Sequence, residues 1–203
     1  MSDRTDFKST APVYFIRHGQ TDWNVETRLQ GQADIDINDT GRAQATANGR
    51  RLAGLIDDPE SFDYVASPMR RTRETMEIVR QELGLPREGY RLDPRLLEVH
   101  FGDWQGYTFD ELERVHPGAS GERNRDKWRF VPPGEKGESY AMLAERVRPW
   151  LNALDRPTVC VTHGGVIRAL FVLTGNATQG EAQDLHIAQD RVLAMKAGRL
   201  EWI

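Results

Sequence analysis

One cysteine in 203 residues, Cys160, leaves no partner for a disulfide within the chain, which excludes a small scaffold held by cystines. Its setting, Thr158-Val159-Cys160-Val161, is apolar and reads as a buried packing position, not a reactive thiol. Long apolar runs are also missing: nothing approaches the roughly 20 residues that a membrane-crossing helix needs. Positive charge is not in excess, since 27 Lys and Arg stand against 31 Asp and Glu for a net charge of -4. That balance argues against a general footprint for nucleic acid, so any anion site must be focused by a few arginines. Residues 1–12 are polar and mixed in charge, without the apolar core of a secretory signal, and are expected to form a flexible leader. Residues 13–203 suffice for one domain with a sizeable core, and a cytoplasmic location follows by default.

What is present begins with Val13-Tyr14-Phe15-Ile16-Arg17-His18-Gly19. Residues of high β propensity give way abruptly to a cation, an imidazole and a glycine, the pattern of a buried strand ending in a functional loop. In open α/β sheets ligands gather beyond the carboxyl ends of strands. Arg17 offers planar donors suited to phosphate or carboxylate, and Gly19 lets backbone approach a ligand, so the implied ligand is an anion.

Thr21 to Asn38 shows no periodicity and is expected to be a long irregular segment pinned by Trp23. Thr40 is expected to cap a helix over about Gly41 to Leu55, followed by a strand at Phe62–Ala66 and a helix from near Met69 to Leu83. Arg70, Arg71 and Arg73 in that helix's first turn oppose its dipole unless an anion sits there, with one arginine facing inward and two outward. Glu98 lies among Leu96, Leu97, Val99 and Phe101, where burial would keep a carboxyl protonated as a proton donor. Thr108–Val115 reads as a short helix. Pro117–Gly137, within an excursion at about 107–137, is rich in Gly, Pro and charge and is the candidate lid. Its Arg123, Arg125, Lys127 and Arg129 read either as a solvated charged face or as contacts for a second anionic group. Trp104, Tyr107, Phe109, Trp128 and Phe130 read as pocket walls or as core. From Glu138-Ser139 a helix carries Met142, Leu143, Val147, Trp150, Leu151 and Leu154 on one stripe. Thr158–Thr162 is a strand, a helix runs from Val166 to Gly175, and Leu185–Ile203 supplies two strands turning at Ala197-Gly198.

One echo organises the chain: His18-Gly19 and His163-Gly164 each follow an apolar strand, and there are only five histidines. Two such imidazoles with Arg17 alongside favour a shared site. A metal usually wants further carboxylate or cysteine ligands, and no such spacing is present, so neither a metal nor a cofactor is expected. Cations, two histidines and a candidate acid suffice for phosphoryl transfer through a phosphohistidine.

The ordered set Arg17-His18-Gly19-Gln20-Thr21 with Asn24, Ser67-Pro68-Met69-Arg70-Arg71, Glu98 with Gly102 and Trp104, Gly137-Glu138-Ser139 and His163-Gly164-Gly165 resembles the histidine phosphatase superfamily, the phosphoglycerate mutase-like family. The resemblance implies a three-layer α/β/α sandwich with a mostly parallel sheet. It also implies that His18 is phosphorylated, that Arg17, Arg71 and His163 hold the phosphoryl group, and that Glu98 donates the proton. Asn24, Gln30, Gly31 and Gly164 would make pocket or substrate contacts. Arg28-Leu29-Gln30-Gly31-Gln32 and Glu98-Val99-His100-Phe101-Gly102 depart from the mutase pattern toward phosphatases resembling the broad-specificity and α-ribazole-phosphate members. The expected activity is hydrolysis of a small-molecule phosphate ester without metal, nucleic acid or membrane, with room for a homo-oligomer. A bisphosphoglycerate-dependent mutase and a low-turnover binding protein on the same fold are the alternatives.

Overall fold

Residues 11–203 are described in the computed structural model, so the expected leader lies outside the described residues except for Ala11 and Pro12. In chain order the elements are β1 (Val13–Arg17), α1 (Asp22–Val25), α2 (Asp39–Ala53), β2 (Asp63–Ala66), α3 (Arg70–Glu82), β3 (Arg91–Leu92), α4 (Phe109–Val115), α5 (Ala119–Arg125), α6 (Tyr140–Asn152), β4 (Thr158–Thr162), α7 (Gly164–Leu173), α8 (Gln179–Ala182), β5 (Val192–Lys196) and β6 (Arg199–Trp202).

The strands form one sheet in the order β3-β2-β4-β1-β5-β6. The pairings from β3 to β1 are parallel, and those of β5 and β6 are antiparallel. Successive strand side chains point to opposite faces, and both faces are covered. Val13, Phe15, Val65, Cys160 and Leu193 pack with α6 and α7 through Leu143, Val147, Leu151, Ile167 and Leu170. Tyr14, Ile16, Tyr64, Val161 and Val192 pack with Leu52 of α2 and Met76 and Val79 of α3. This is the expected three-layer α/β/α sandwich. Truncating Phe15, which is fully buried, would cost about 3–5 kcal/mol.

Several local expectations are corrected. Thr21–Asn38 is not irregular throughout: Thr21 caps α1 in a reciprocal box with Asn24, a helix too short to show a period. Asn38, not Thr40, caps α2 by accepting from the Gly41 N–H at 2.9 Å, which places Asp39 in the first turn where the dipole favours it. Met142 leaves the buried stripe of α6 and is half exposed, while Tyr140 and Ala144 join it. The C-terminal strands begin only at Val192, and α8 lies in a stretch without an assigned helix. Trp128 of the expected lid is buried in the main core and stacks on Tyr140, and Trp104 is buried against Phe130. Both tryptophans are core residues, with Phe130 partly buried against Trp104, and the excursion is anchored at its centre.

Candidate active site

The site rests on three neighbouring strand ends. In the parallel register Arg17 faces Thr162, so His18 and His163 leave the sheet side by side, and the His18 N–H donates to the Thr162 carbonyl at 2.9 Å. Their rings meet edge to face, with centroids 5.3 Å apart. On the other flank of β4 the Ser67 N–H donates to the Val161 carbonyl at 3.1 Å, which brings the residue after β2 beneath His163.

Hydrogen bonding assigns the proton on each ring. His18 Nδ1 lies 2.8 Å from the Gly19 carbonyl, which only accepts, so Nδ1 carries the hydrogen and Nε2 keeps a bare lone pair. His163 Nε2 lies 2.7 Å from Ser67 Oγ and is the only acceptor that hydroxyl meets among the described residues. Were Nε2 to donate, the buried hydroxyl hydrogen would have no acceptor, so Ser67 donates and His163 carries its hydrogen on Nδ1. Both rings are enclosed: desolvation, then Arg71, drives their pKa values well below 6.5, so both are neutral near pH 7.

Arg71 is fully buried, with Nη1 donating to the Ala33 carbonyl and Nη2 to the Gly31 carbonyl, each at 2.7 Å. It is the inward arginine, and Arg70 and Arg73 face out. Arg17 Nη1 donates to the Ile187 carbonyl at 2.8 Å. Burial lowers both guanidinium pKa values to about 10, with Glu98 opposing the shift, so both remain charged near pH 7. Among the described residues, four buried side-chain atoms lack a partner: Arg17 Nε, Arg71 Nε, His163 Nδ1 and Gln30 Oε1. The first three are donors belonging to the same constellation. Unpaired buried donors are costly, and an oxyanion between them would satisfy all three.

The remaining expected residues surround this point with differing roles. Asn24 Oδ1 accepts from the Thr21 N–H and from Gln189 Nε2, both at 3.1 Å. Gln30 is buried with Nε2 donating to Thr21 Oγ1 at 2.7 Å, and Gly31 braces Arg71 through its carbonyl. Gly164 opens α7; a methyl built there would lie 3.6 Å from Arg17 Nε and 3.3 Å from Arg168 Nη1. Glu98 is not enclosed by its apolar neighbours as expected. It is half-buried, with its oxygens accepting from the Val99 N–H at 2.9 Å and the Gly165 N–H at 3.1 Å. Gly19 also serves differently from expectation: a methyl there would collide with the Gly41 backbone, so the glycine admits α2. Sequence reasoning missed two residues. Ser67 was signalled by its place at a strand end, whereas Gln189, which donates to the His18 carbonyl at 3.0 Å, carried no signal. No group of three or more His, Cys, Asp or Glu suited to a metal occurs among the described residues.

A family model described as histidine phosphatase superfamily (branch 1) matches residues 13–202. The chain belongs to that superfamily. A glucosyl-3-phosphoglycerate phosphatase of Mycolicibacterium vanbaalenii is 39% identical to this histidine phosphatase over 170 residues, covering 78% of this chain and 71% of the relative. A 2,3-bisphosphoglycerate-dependent phosphoglycerate mutase of Methylobacterium radiotolerans is 32% identical over 183 residues, covering 86% and 84%. In three dimensions a mycobacterial glucosyl-3-phosphoglycerate phosphatase in complex with VO3 superposes with a TM-score of 0.76 at 30% identity, covering 95% of this chain and 96% of that one. With phosphatase-named relatives in sequence and in structure, this histidine phosphatase is a hydrolase of phosphate esters.

Proposed function

We propose that the chain is a metal-independent phosphomonoesterase acting on a small phosphorylated metabolite through a phosphohistidine on His18. The observation that carries the reading is the complementary pair of ring protons: a bare Nε2 on His18 beside donors on His163, Arg17 and Arg71 that lack acceptors. The His18 Nε2 lone pair attacks phosphorus while the bond to the ester oxygen breaks. Arg17, Arg71 and His163 Nδ1–H hold the equatorial oxygens, where preorganised donors act on developing charge. Glu98 gives a proton to the departing alkoxide. The resulting carboxylate takes a proton from water, the hydroxide attacks phosphorus, and the P–N bond returns its electrons to His18. Asn24, Gln30, Gly31 and Gly164 line or brace the phosphoryl pocket. A single buried thiol fits a reducing compartment, so the cytoplasm is the proposed place of action.

The test is chemical trapping. Turnover of an ester, quenched in alkali, is expected to leave one phosphoryl group on His18, and His18→Ala is expected to abolish both the adduct and phosphate release. An unlabelled protein during steady turnover, or activity retained by His18→Ala, would refute the mechanism. The mutase-named relative motivates a second reading, in which a bisphosphoglycerate primer drives interconversion of 2- and 3-phosphoglycerate without net release of phosphate.

A further inference from the structure

The Gly137-Glu138-Ser139 step, where the excursion enters α6, is tied to the segment that carries Glu98. Ser139 caps α6 by accepting from the Met142 N–H at 3.2 Å, and Arg146, further along the helix, reaches back to Glu138 with Nε 2.9 Å from Oε1 and Nη2 2.8 Å from Oε2. This two-point pair between half-buried groups fixes the plane of the guanidinium. Both hydrogens of Nη1 then go to backbone: it donates to the Arg95 carbonyl at 2.8 Å and to the Leu97 carbonyl at 3.1 Å. Residues 95–98 belong to no strand of the sheet, and their other two carbonyls are held by side chains as well. Thr162 Oγ1 donates to the Leu96 carbonyl at 3.0 Å, and Gln32 Nε2 donates to the Glu98 carbonyl at 3.0 Å. On the far side of Glu98, the Glu138 N–H donates to the His100 carbonyl at 2.9 Å. Successive carbonyls are thus satisfied outside any sheet or α-helix ladder, two of them by one guanidinium, and from this frame the Glu98 carboxylate reaches the Gly165 N–H in the first turn of α7.

We propose that Arg146, oriented by Glu138, is a positioning residue for the acid: by pinning the carbonyls that precede Glu98, it holds that carboxyl where the leaving group is protonated. This deepens the phosphatase reading and rests on it. A reacting group displaced by about 1 Å can lose two orders of magnitude in rate, and a regular ladder usually prevents such drift; here the guanidinium fork takes its place. A lysine at 146 keeps the charge, but its donors radiate from one nitrogen and cannot reproduce the planar fork. The charge acts on its own account, because behind desolvation, Arg71, His18 and Arg17 it also opposes protonation of His163. Arg146→Lys therefore removes the geometry and spares the electrostatics.

The experiment compares phenyl phosphate, whose leaving group needs the proton, with 4-nitrophenyl phosphate, whose leaving group departs as the anion. Arg146→Lys is expected to lower kcat for phenyl phosphate by about tenfold or more, with 4-nitrophenyl phosphate slowed less than about threefold and KM for both within about twofold. Glu138→Gln should follow in the same direction, and it keeps the test readable if Arg146→Lys does not fold. Glu98→Gln alone should show the same selectivity, and Arg146→Lys added to it should leave the ratio of the two esters where Glu98→Gln put it, since an acid already removed cannot be misplaced. Independently of turnover, hydrogen exchange at the Val99 and Gly165 amides, both donors to the Glu98 carboxylate, should quicken by about tenfold or more in either clamp variant, with Val147 of α6 still protected. No turnover of either ester by the parent would refute the phosphatase reading, while the amide exchange still decides whether Arg146 holds Glu98. Equal slowing of both esters by Glu98→Gln would refute Glu98 as the acid and take the positioning role with it. Selectivity in Glu98→Gln without any in the folded clamp variants, a further change of ratio in the double variant, or unchanged exchange at both amides would overturn the positioning role alone.

Discussion

Replacing Ser67 with alanine removes one oxygen from a fully enclosed position and leaves its backbone held, because Thr72 Oγ1 still donates to the Ser67 carbonyl at 2.7 Å and the Ser67 N–H still donates to Val161. What is lost is the 2.7 Å bond that fixes the proton of His163 on Nδ1. A buried acceptor left unpaired costs about 1–3 kcal/mol, which is also the bias the hydroxyl exerts on the tautomer. At about 1.4 kcal/mol per tenfold, the ratio of the Nδ1–H form to the Nε2–H form falls by about 5- to 150-fold. kcat for an aryl phosphate should fall with the lost Nδ1–H population, by more than twofold and by no more than the roughly 10²–10³-fold expected for deleting a whole transition-state donor. The 15N shifts of His163 should move toward the Nε2–H form in the same variant, and thermal stability should drop by no more than about 3 kcal/mol. If Ser67→Ala keeps kcat within twofold, or loses it while the tautomer of His163 is unchanged, the assignment of ring protons is wrong.

A methyl at Gly165 would collide with the Glu98 carboxylate, a flexible group that can swing away. Gly165→Ala should therefore fold normally yet slow esters with poor leaving groups by tenfold or more relative to activated aryl esters; equal slowing would separate Glu98 from leaving-group protonation. At Gly19 the collision is with Gly41 backbone, which cannot yield, so Gly19→Ala should lower the melting midpoint by several degrees, and an unchanged midpoint would contradict the close approach. His18 and His163 have native pKa values below the ordinary 6.5, so as pH falls the unfolded chain binds protons first. Stability is full above 6.5 and should decline below it by up to about 2.7 kcal/mol per pH unit for the two together; melting curves without phosphate that are flat from pH 7 to 5 would refute their enclosure. The same shift predicts that the acid limb of kcat/KM, corrected for substrate ionisation, lies below 6.5, and a limb at or above that value would remove neutral His18 as the nucleophile.

Much of the fold was legible because strand and helix signals are local. Val13–Arg17 and Thr158–Thr162 announced themselves by apolar runs that stop abruptly at His18 and His163, and the stripe of α6 was visible apart from Met142 on its flank. Where signals were short they failed: four residues of α1 or α8 contain too little of a helical period to register. The choice of Asn38 over Thr40 as cap illustrates the usual ambiguity at element boundaries.

The sequence by itself determined which side chains are available: two imidazoles at strand ends, an arginine before the first, a further arginine at the start of α3 and a glutamate on a connecting segment. Only the tertiary structure decided what each can do. Inserting β4 between β2 and β1 is a matter of long-range pairing, and it alone places Ser67 under His163 and His163 beside His18. The ring protons, the enclosed guanidinium donors and the unsuspected Gln189 depend on partners far away along the chain. Propensity acts over a few neighbouring residues. Tautomer, desolvation and charge depend on what packing brings within a few ångströms, and no local pattern records that.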